Sequence, residues 1–225
     1  MILVIAIVCV GGFLFLCYYM INSYNKRIQE RRSSAKIFAQ RHKLTFGENT
    51  GYAPAAEQEY DSDEAYTSSS FKVTYNNIVC GENDKFILYM HDRKLIGHKN
   101  NEYYDYVAYF VKNNDKDIPD FFMRDEVFLK DAVLKKFANE QDINFSDDDL
   151  FSKIFILQGP NEGKVRKFFD RKMRQIFVQN RLEGAVFIYK NDTLIIGFEN
   201  STTLQQKESM LAIANAVFGN AKKSL

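Results

Sequence analysis

The sequence predicts an α+β protein: a single N-terminal transmembrane helix followed by a compact body of antiparallel strands with helices packed on them. Residues 1–21 contain no charged, amide or imidazole side chain. A helix of that length spans roughly 31 Å, close to the hydrocarbon core of a bilayer. The rest of the chain alternates short apolar runs of strand period with amphipathic stretches of helical period, separated by turn residues.

The apolar stretch favours a membrane anchor over a cleaved signal peptide. A signal peptide needs a basic start, a shorter apolar core and small residues at its cleavage site. Here no basic residue precedes the apolar run, and its far end is bulky, with Tyr18, Tyr19 and Met20. Tyrosines also suit the boundary between lipid and water. We therefore expect residues 1–21 to form one retained span.

Charge beside the span predicts its orientation. Residues 22–43 hold seven basic residues and one acidic residue, whereas residues 44–225 hold 23 basic and 28 acidic residues. Basic flanks stay on the cytoplasmic side, so we expect the N-terminus outside the cell membrane and the body in the cytoplasm. Residues 22–46 then form a basic juxtamembrane helix. Its candidate contacts with lipid headgroups are Lys26, Arg27, Arg31, Arg32 and Lys36.

Composition limits the classes of partner and compartment. The acidic body argues against nucleic acid, which requires a basic face. Only Cys80 lies outside the apolar stretch, so an intrachain disulfide framework is excluded, as is typical of a reducing compartment. The length after the anchor suits one α+β body over residues 71–225, with two lobes, about 71–140 and 141–225, left open.

The first half of the body reads as a loop followed by strands. Residues 47–70 hold six acidic residues and no basic ones, which predicts an acidic, mobile surface loop whose tyrosines could contact a partner. Residues 71–125 alternate in the manner of antiparallel strands, with a turn at Glu82–Asp84. Pro119 favours an edge position for a short strand over residues 118–123.

The second half follows the order β-α-β-β-α. A strand ends at Gly159, and Asn161 caps a single helix that extends to Phe177. Asn191-Asp192 between two apolar runs predicts a β-hairpin. Thr202 to Gln205 forms a capping box that opens the last helix. This order predicts helices packed on one face of a sheet.

Few residues combine into chemistry. Cys80 with His91 or His98 could form a nucleophile and base, although a thiol within a strand pattern is more typical of inert core. His91, Asp92 and His98 could bind a metal, but the tight paired spacing of zinc sites is missing. We therefore predict no catalytic residue, no cofactor and no metal site.

Two further motifs also favour a structural interpretation. Asp147-Asp148-Asp149 has the acidity of a calcium loop without its glycine and terminal glutamate, so we interpret it as a solvated turn or a helix cap. Residues 158–164 contain the glycines and lysine of a phosphate loop. Their spacing is one residue short and no Ser or Thr follows Lys164, which indicates a turn.

Several short motifs occur in a fixed order between about residues 35 and 218. They are Leu44-Thr45-Phe46, Asn77 to Gly81, Met90-His91-Asp92, Ile118 to Glu126, Asp142 to Phe145, Phe151 to Phe155, and Gly159. In these motifs the chain resembles a widespread, uncharacterised bacterial family of short proteins with one N-terminal membrane helix. It departs from that family in its acidic loop and at Arg93 and Asp125, where the family has an aromatic residue and a proline. The resemblance implies one anchor and one compact cytoplasmic α+β domain, and it brings no activity with it.

Two functions follow as hypotheses. The first is a membrane-tethered cytoplasmic module that binds or scaffolds a membrane or cytoplasmic protein, because tethering raises the local concentration of the body near such partners. The alternative is a membrane-associated hydrolase with a site that no motif reveals. A deep pocket lined by acidic or histidine side chains of shifted pKa would favour the hydrolase.

Overall fold

The computed structural model describes residues 2–49, 72–96, 102–112, 118–126, 142–199 and 202–220. It shows an α+β fold built on an antiparallel sheet of eight strands, which confirms the predicted fold class at that level. The helices are α1 (Ile2–Arg41), α2 (Asp149–Ile154), α3 (Glu162–Phe168), α4 (Arg171–Gln179) and α5 (Leu204–Asn220).

The predicted transmembrane helix is the part of the fold class that the structure leaves open. Among the described residues, no helix offers a stretch long and apolar enough to cross a membrane. The side chains of residues 1–11 lie outside the described residues. The membrane span over residues 1–21 therefore stays a prediction.

The sheet joins both halves of the body. Its strand order is β1-β2-β3-β4-β8-β7-β5-β6, and all of its pairings are antiparallel. Pairing of β4 with β8 connects residues before 140 with residues after it. The strands are β1 (Thr45–Asn49), β2 (Lys72–Glu82), β3 (Ile87–Ile96), β4 (Glu102–Val111), β5 (Phe121–Asp125), β6 (Phe155–Gln158), β7 (Ala185–Lys190) and β8 (Thr193–Glu199).

One cluster of buried side chains runs through both halves, from Ala35 in α1 to Phe218 in α5. Strand β4 shows how the sheet divides its two faces. Tyr106, Ala108 and Phe110 join this main core, while Val107 and Tyr109 belong to a separate small cluster on the opposite face. The period-2 alternation predicted for this strand is thus confirmed.

Local turn chemistry was predicted well. Asn191 and Asp192 have φ values of 50° and 58°, and Lys190 pairs directly with Thr193, which is the geometry of a two-residue hairpin turn. At the other predicted turn the Asn83 side chain accepts hydrogen bonds from the amides of the residues two and three positions later. Both turns are built by side chains that tolerate or stabilise tight backbone.

Two predicted elements are wrong. The strand with Pro119 was expected at a sheet edge, but β5 lies between β6 and β7. Proline does not interrupt the ladder, because the strand begins only at Phe121. The single helix expected after Asn161 is two helices, since Asp170 caps α4 by accepting a 2.8 Å hydrogen bond from the Met173 amide.

The capping box of α5 lies one residue later than predicted. Thr203 Oγ1 accepts from the Gln206 amide at 3.2 Å, and Gln206 Oε1 accepts from the Thr203 amide at 2.8 Å. The shift has a physical reason. The preceding residue, Thr202, turns its hydroxyl toward a buried lysine and is not available as the cap.

Candidate functional site

The C-terminal part of α1 is the place where the N-terminal helix meets the body. Ala35, Phe38 and Ala39 share one face of the helix and are completely or almost completely buried in the main core. Past Arg41 the chain reverses, and Lys43 adopts a φ of 56° at this point. Strand β1 then returns beside α1.

Ion pairs bracket this apolar contact. Glu48 on β1 pairs with Arg32 and, at 3.6 Å, with Lys36 of α1. Near the end of the helix the Glu208 carboxylate of α5 lies 2.7 Å from Arg41 Nη1 and 2.7 Å from His42 Nε2. Helix α1 is therefore held on one side by β1 and on another by α5.

A buried polar cluster lies where α1, α5 and the sheet meet, and Lys207 of α5 is its centre. Its Nζ donates to Thr202 Oγ1 at 2.6 Å, to the Thr202 carbonyl at 3.0 Å and to Ser34 Oγ at 3.2 Å. The ammonium also lies 4.7 Å from the centroid of the Tyr106 ring. We call these residues, with Asp92 and Asn77 described next, the Lys207 cluster.

A β-bulge brings a second pair of residues into the cluster. The register of β2 against β3 shifts between Asn76 and Val79, and Asn77 within the bulge has a φ of 52°. Asparagine tolerates this left-handed conformation better than most residues. Asn77 Nδ2 then donates to Asp92 Oδ2 at 2.6 Å.

Burial sets the protonation of the cluster. It lowers the pKa of Lys207 to about 8, because desolvation outweighs the favourable charge of Asp92, and Arg31 lowers it further. Burial likewise raises the pKa of Asp92, although the Asn77 hydrogen bond and the charges of Lys207 and Arg31 oppose that rise. The pKa of Tyr106 is raised well above its usual value by burial and by the Asp92 charge.

The cluster contains groups that can gain or lose protons, but its central side chains are buried from solvent. Lys207 is 2 % exposed and Asp92 is 6 % exposed, so a substrate cannot reach either group in this conformation. Across the described segments, no group of His, Cys, Asp and Glu side chains is arranged to hold a metal ion. The arrangement is that of a buried junction between the N-terminal helix and the body.

A small groove of about 170 Å³ lies at the other end of the α1–α5 contact. Four of its nine lining residues are hydrophobic, and His42, which is bonded to Glu208, also lines it. None of the side chains with a shifted pKa contributes to the lining. The lining residues are His42, Leu44, Gly81, Glu82, Asn83, Phe86, Leu88, Leu211 and Asn215.

The structure places two of the five predicted headgroup contacts away from the body and the other three against it. Lys26 and Arg27 are exposed on the free part of α1, with Lys26 3.9 Å from Glu30. The other three face the body. Arg32 and Lys36 form ion pairs with Glu48, as described above. Arg31 is half-buried, and its charge lowers the pKa values of Asp92 and Lys207.

The candidate nucleophile and metal ligands do not gather into a site among the described residues. His91 is completely buried, with its ring packed between those of Tyr75 and Tyr109. Cys80 pairs across the strands with Tyr89, two positions from His91. His98 lies outside the described residues.

The two remaining motifs are structural, as predicted. Asp148 caps α2 by accepting from the Phe151 amide at 3.1 Å, and Asn161 caps α3 by accepting from the Lys164 amide at 3.0 Å. A Cβ atom at Gly159 would lie 2.8 Å from the Asp120 carbonyl oxygen, so this position needs a glycine for the close approach of the two chain segments.

The motif residues of the first half converge on the junction. A Cβ at Gly81 would lie 2.5 Å from Leu44 Cδ2, so this glycine accommodates the leucine that follows α1. Asn77 and Asp92 meet by hydrogen bond. Sequence reasoning missed Lys207 itself. Its signal was a lysine on the same helical face as Met210 and Ala214, where an apolar residue was expected.

The fold defines the class: an α+β protein with helices packed on an eight-stranded antiparallel sheet. No protein-family model matches the sequence, and no curated protein matches it. Among solved structures, the crystal structure of the mycobacterial trehalose monomycolate transport factor A, TtfA, is similar with a TM-score of 0.55. The sequences are 11 % identical, and the match covers 84 % of this chain and 93 % of that chain. At this identity the similarity concerns the fold alone.

Proposed function

We propose that this protein is a membrane-tethered module whose body binds or scaffolds a protein partner on the cytoplasmic side. The observation that carries the proposal is the apolar surface of α1 before the junction. The large hydrophobic side chains between residues 13 and 21 are each 58–70 % exposed, namely Phe13, Leu14, Phe15, Leu16, Tyr18, Tyr19, Met20 and Ile21.

The distribution of these side chains favours lipid over a protein partner. Consecutive residues point around the whole helix, so a protein docked on one side would leave the other sides in water. A bilayer covers all sides at once and leaves no backbone group unsatisfied, because the helix bonds its own amides. The apolar residues that precede Phe13 in the sequence extend the same stretch to the length of a span.

The junction is consistent with the tether, because it would carry the body at a fixed place near the membrane. Helix α1 continues from Ile2 to Arg41 without interruption and ends in the core of the body. Exposed Lys26 and Arg27 lie just beyond the apolar stretch, where they suit anionic headgroups on the cytoplasmic side.

A binding role is favoured over the alternative of a hydrolase. A hydrolase would place side chains of shifted pKa around an accessible pocket. Among the described residues, the groove beside His42 is small, about 170 Å³, and the shifted groups Asp92 and Lys207 do not line it. The similar solved structure carries the name of a transport factor, which fits an accessory role. The trehalose monomycolate in that name is not proposed as a ligand of this chain.

The tether is tested by membrane extraction. The full chain is expected to remain in membranes washed with alkaline carbonate, while a chain lacking residues 1–21 is released. Replacing both Val10 and Phe13 with aspartate should also release the protein, because a charge near the centre of a span costs about 2.5–3.5 kcal/mol. The matched control, both residues changed to leucine, should remain. Release of the control or of the full chain would refute the tether.

The binding role is tested by affinity purification from the native membrane in mild detergent. Defined protein partners should co-purify with the full chain and be depleted when the chain lacking residues 1–21 is used as bait. If the full chain is recovered alone, the binding role fails. A screen of the body for hydrolysis of ester, amide and phosphate substrates then tests the alternative.

A further inference from the structure

We infer that the body meets the bilayer with one particular end of its sheet, which reaches the lipid headgroups. This proximal end consists of the start of β2 at Lys72, the end of β3 at Ile96 and the start of β4 at Glu102. The inference rests on the proposed tether and adds to it the surface that faces lipid. The opposite end, with the β2–β3 turn and the groove beside His42, points away from the membrane.

The first step is that α1 and the body move as one piece. Contacts from two sides hold the helix. Glu48 of β1 pairs with Arg32, while Glu208 and Lys207 of α5 contact Arg41 and Ser34. Between them, the apolar face of α1 is buried in the core. A helix held on two sides over this length cannot swivel about its axis.

The second step fixes which end of the sheet points along α1 toward the apolar stretch. Strand β1 returns antiparallel beside α1, since its residue Glu48 contacts Arg32 while Thr45 follows the end of the helix. Asn49 pairs with Asn76 of β2, and Lys72 of β2 pairs with Ile96 of β3. These strand ends therefore extend toward the N-terminal side of the junction.

The third step compares lengths. Glu48 contacts Arg32 and Lys36 on either side of Ser34, and the next residue, Asn49, pairs through Asn76 of β2 with Asp92 of β3. Asp92 therefore lies near the level of Ser34. From that level α1 needs about 20 Å to reach the end of the apolar stretch at Ile21. Strand β3 covers about 13 Å of the same distance by Ile96.

The remaining gap is about 7 Å, which matches the headgroup layer of one leaflet, roughly 5–7 Å thick. The proximal end is thus long enough to touch headgroups and too short to enter the hydrocarbon. The exposed basic residues Lys26 and Arg27 lie about 7.5 and 9 Å beyond Ile21, just outside this layer, where their long side chains reach the headgroups. On the other side of the level of Asp92, β3 extends for a further five residues to Ile87.

The test measures the distance of two body sites from lipid headgroups in the full chain. The protein is reconstituted in phosphatidylcholine–phosphatidylglycerol nanodiscs that contain a lipid with a gadolinium chelate on its headgroup. Cys9, Cys17 and Cys80 are replaced with alanine, and a fluorine tag is placed on Gln205→Cys or Asp84→Cys. Both positions are exposed, one near the start of α5 and one in the β2–β3 turn.

The expected distances from the span differ, about 17–25 Å for Gln205, whose helix contacts α1 between Ser34 and Arg41, and about 37 Å for Asp84. Paramagnetic relaxation falls with the sixth power of distance, so the effect at Gln205 should exceed that at Asp84 by more than about tenfold. Equal effects at both sites, or a larger one at Asp84, would overturn the inference.

A matched variant tests the rigid connection. Changing both exposed residues Asn25 and Gln29 to glycine loosens α1 between the span and the junction. The ratio of the relaxation effects at the two tags should then fall toward one. If the difference persists in this variant, the rigid helix is not its cause. Failure of the full chain to enter nanodiscs is a separate result, which would refute the tether and not only the orientation.

Discussion

Two buried cations, Arg174 in α4 and Lys207 in α5, differ in the groups that compensate their buried charge. Each is at most 3 % exposed. Arg174 donates to Asp147 at 2.7 Å, to Asp148 at 3.0 Å and to the Phe169 carbonyl at 3.0 Å. Its guanidinium also lies 4.2 Å from the centroid of the neighbouring Phe145 ring. Lys207 instead donates to three neutral oxygens, and its interaction with the Asp92 carboxylate is electrostatic attraction without a direct hydrogen bond.

The neighbouring carboxylates report the difference. Burial alone would raise the pKa of Asp148, but hydrogen bonds from Arg174 and the Phe151 amide hold it below its usual value. Burial of Asp92 prevails, and its pKa is raised. The Arg174 site therefore stabilises its charges, whereas the Lys207 cluster destabilises them. The second arrangement lies where the N-terminal helix joins the body, and the first lies within the body.

Removal of the arginine should produce the largest loss. Arg174→Met leaves Asp148 without its cation, and we expect the free energy of unfolding to fall by about 2–3 kcal/mol. This is less than the full value for a buried pair because Asp147 is largely exposed. Urea unfolding of the full chain in mild detergent measures the change by circular dichroism.

The matched control is Arg166→Met. Arg166 also lies over the Phe145 ring, at 5.3 Å, but it is more exposed and pairs with Glu162 one helical turn away. Its replacement should lower the free energy of unfolding by less than about 0.5 kcal/mol. Equal losses in the two variants would show that burial does not distinguish the two arginines.

A pH series sharpens the contrast. The folded chain releases the Lys207 proton near pH 8, while the unfolded chain keeps it to about 10.4. Between these values the unfolded state binds more protons, so stability rises with pH. From pH 8 to 9.5 the free energy of unfolding should increase by about 1.5 kcal/mol relative to Lys207→Met, because half of the folded chains still hold the proton at pH 8. A parallel pH dependence of the two proteins would contradict the lowered pKa.

The bulge offers a smaller test. Asn77→Gly keeps the left-handed backbone but removes the hydrogen bond to Asp92, and it should lower the free energy of unfolding by about 1 kcal/mol. Asn77→Ala loses the same hydrogen bond and also strains the backbone, which adds about 1 kcal/mol. If the two variants are equally stable, the positive φ at this position carries no strain.

Features set by neighbouring residues were predictable from the sequence. The hairpin at Asn191-Asp192 and the turn at Asn83 depend on side chains within three positions, and both were identified. The misplaced edge of β5 has a different origin. Which strand lies beside another depends on the whole chain, and Pro119 could show only that a ladder amide was missing at one point.

The Lys207 cluster could not be predicted for the same reason. Ser34 and Lys207 are separated by 173 positions, and each residue by itself resembles an ordinary surface residue. Only the position of Lys207 on the buried face of α5 was a signal, and it becomes informative once the partner helix is known. The pairing of Arg32 and Lys36 with Glu48 was unpredictable for the same reason, and their predicted contact with lipid headgroups stays a prediction.

The smallest expected effect is also the most discriminating between the two buried cations. The double variant Lys207→Met, Asp92→Asn removes both charges of the cluster while keeping similar side-chain volumes. Since a buried charge pair gains little over a well-packed apolar replacement, the free energy of unfolding should stay within about 1 kcal/mol of the natural protein or rise. The comparable change of Arg174→Met with Asp148→Asn should still lower it, because that variant also loses the bonds to the Phe169 carbonyl and the Phe145 ring. Large and equal losses in both double variants would mean that the Lys207 cluster is a stabilising lock of the same kind as the arginine.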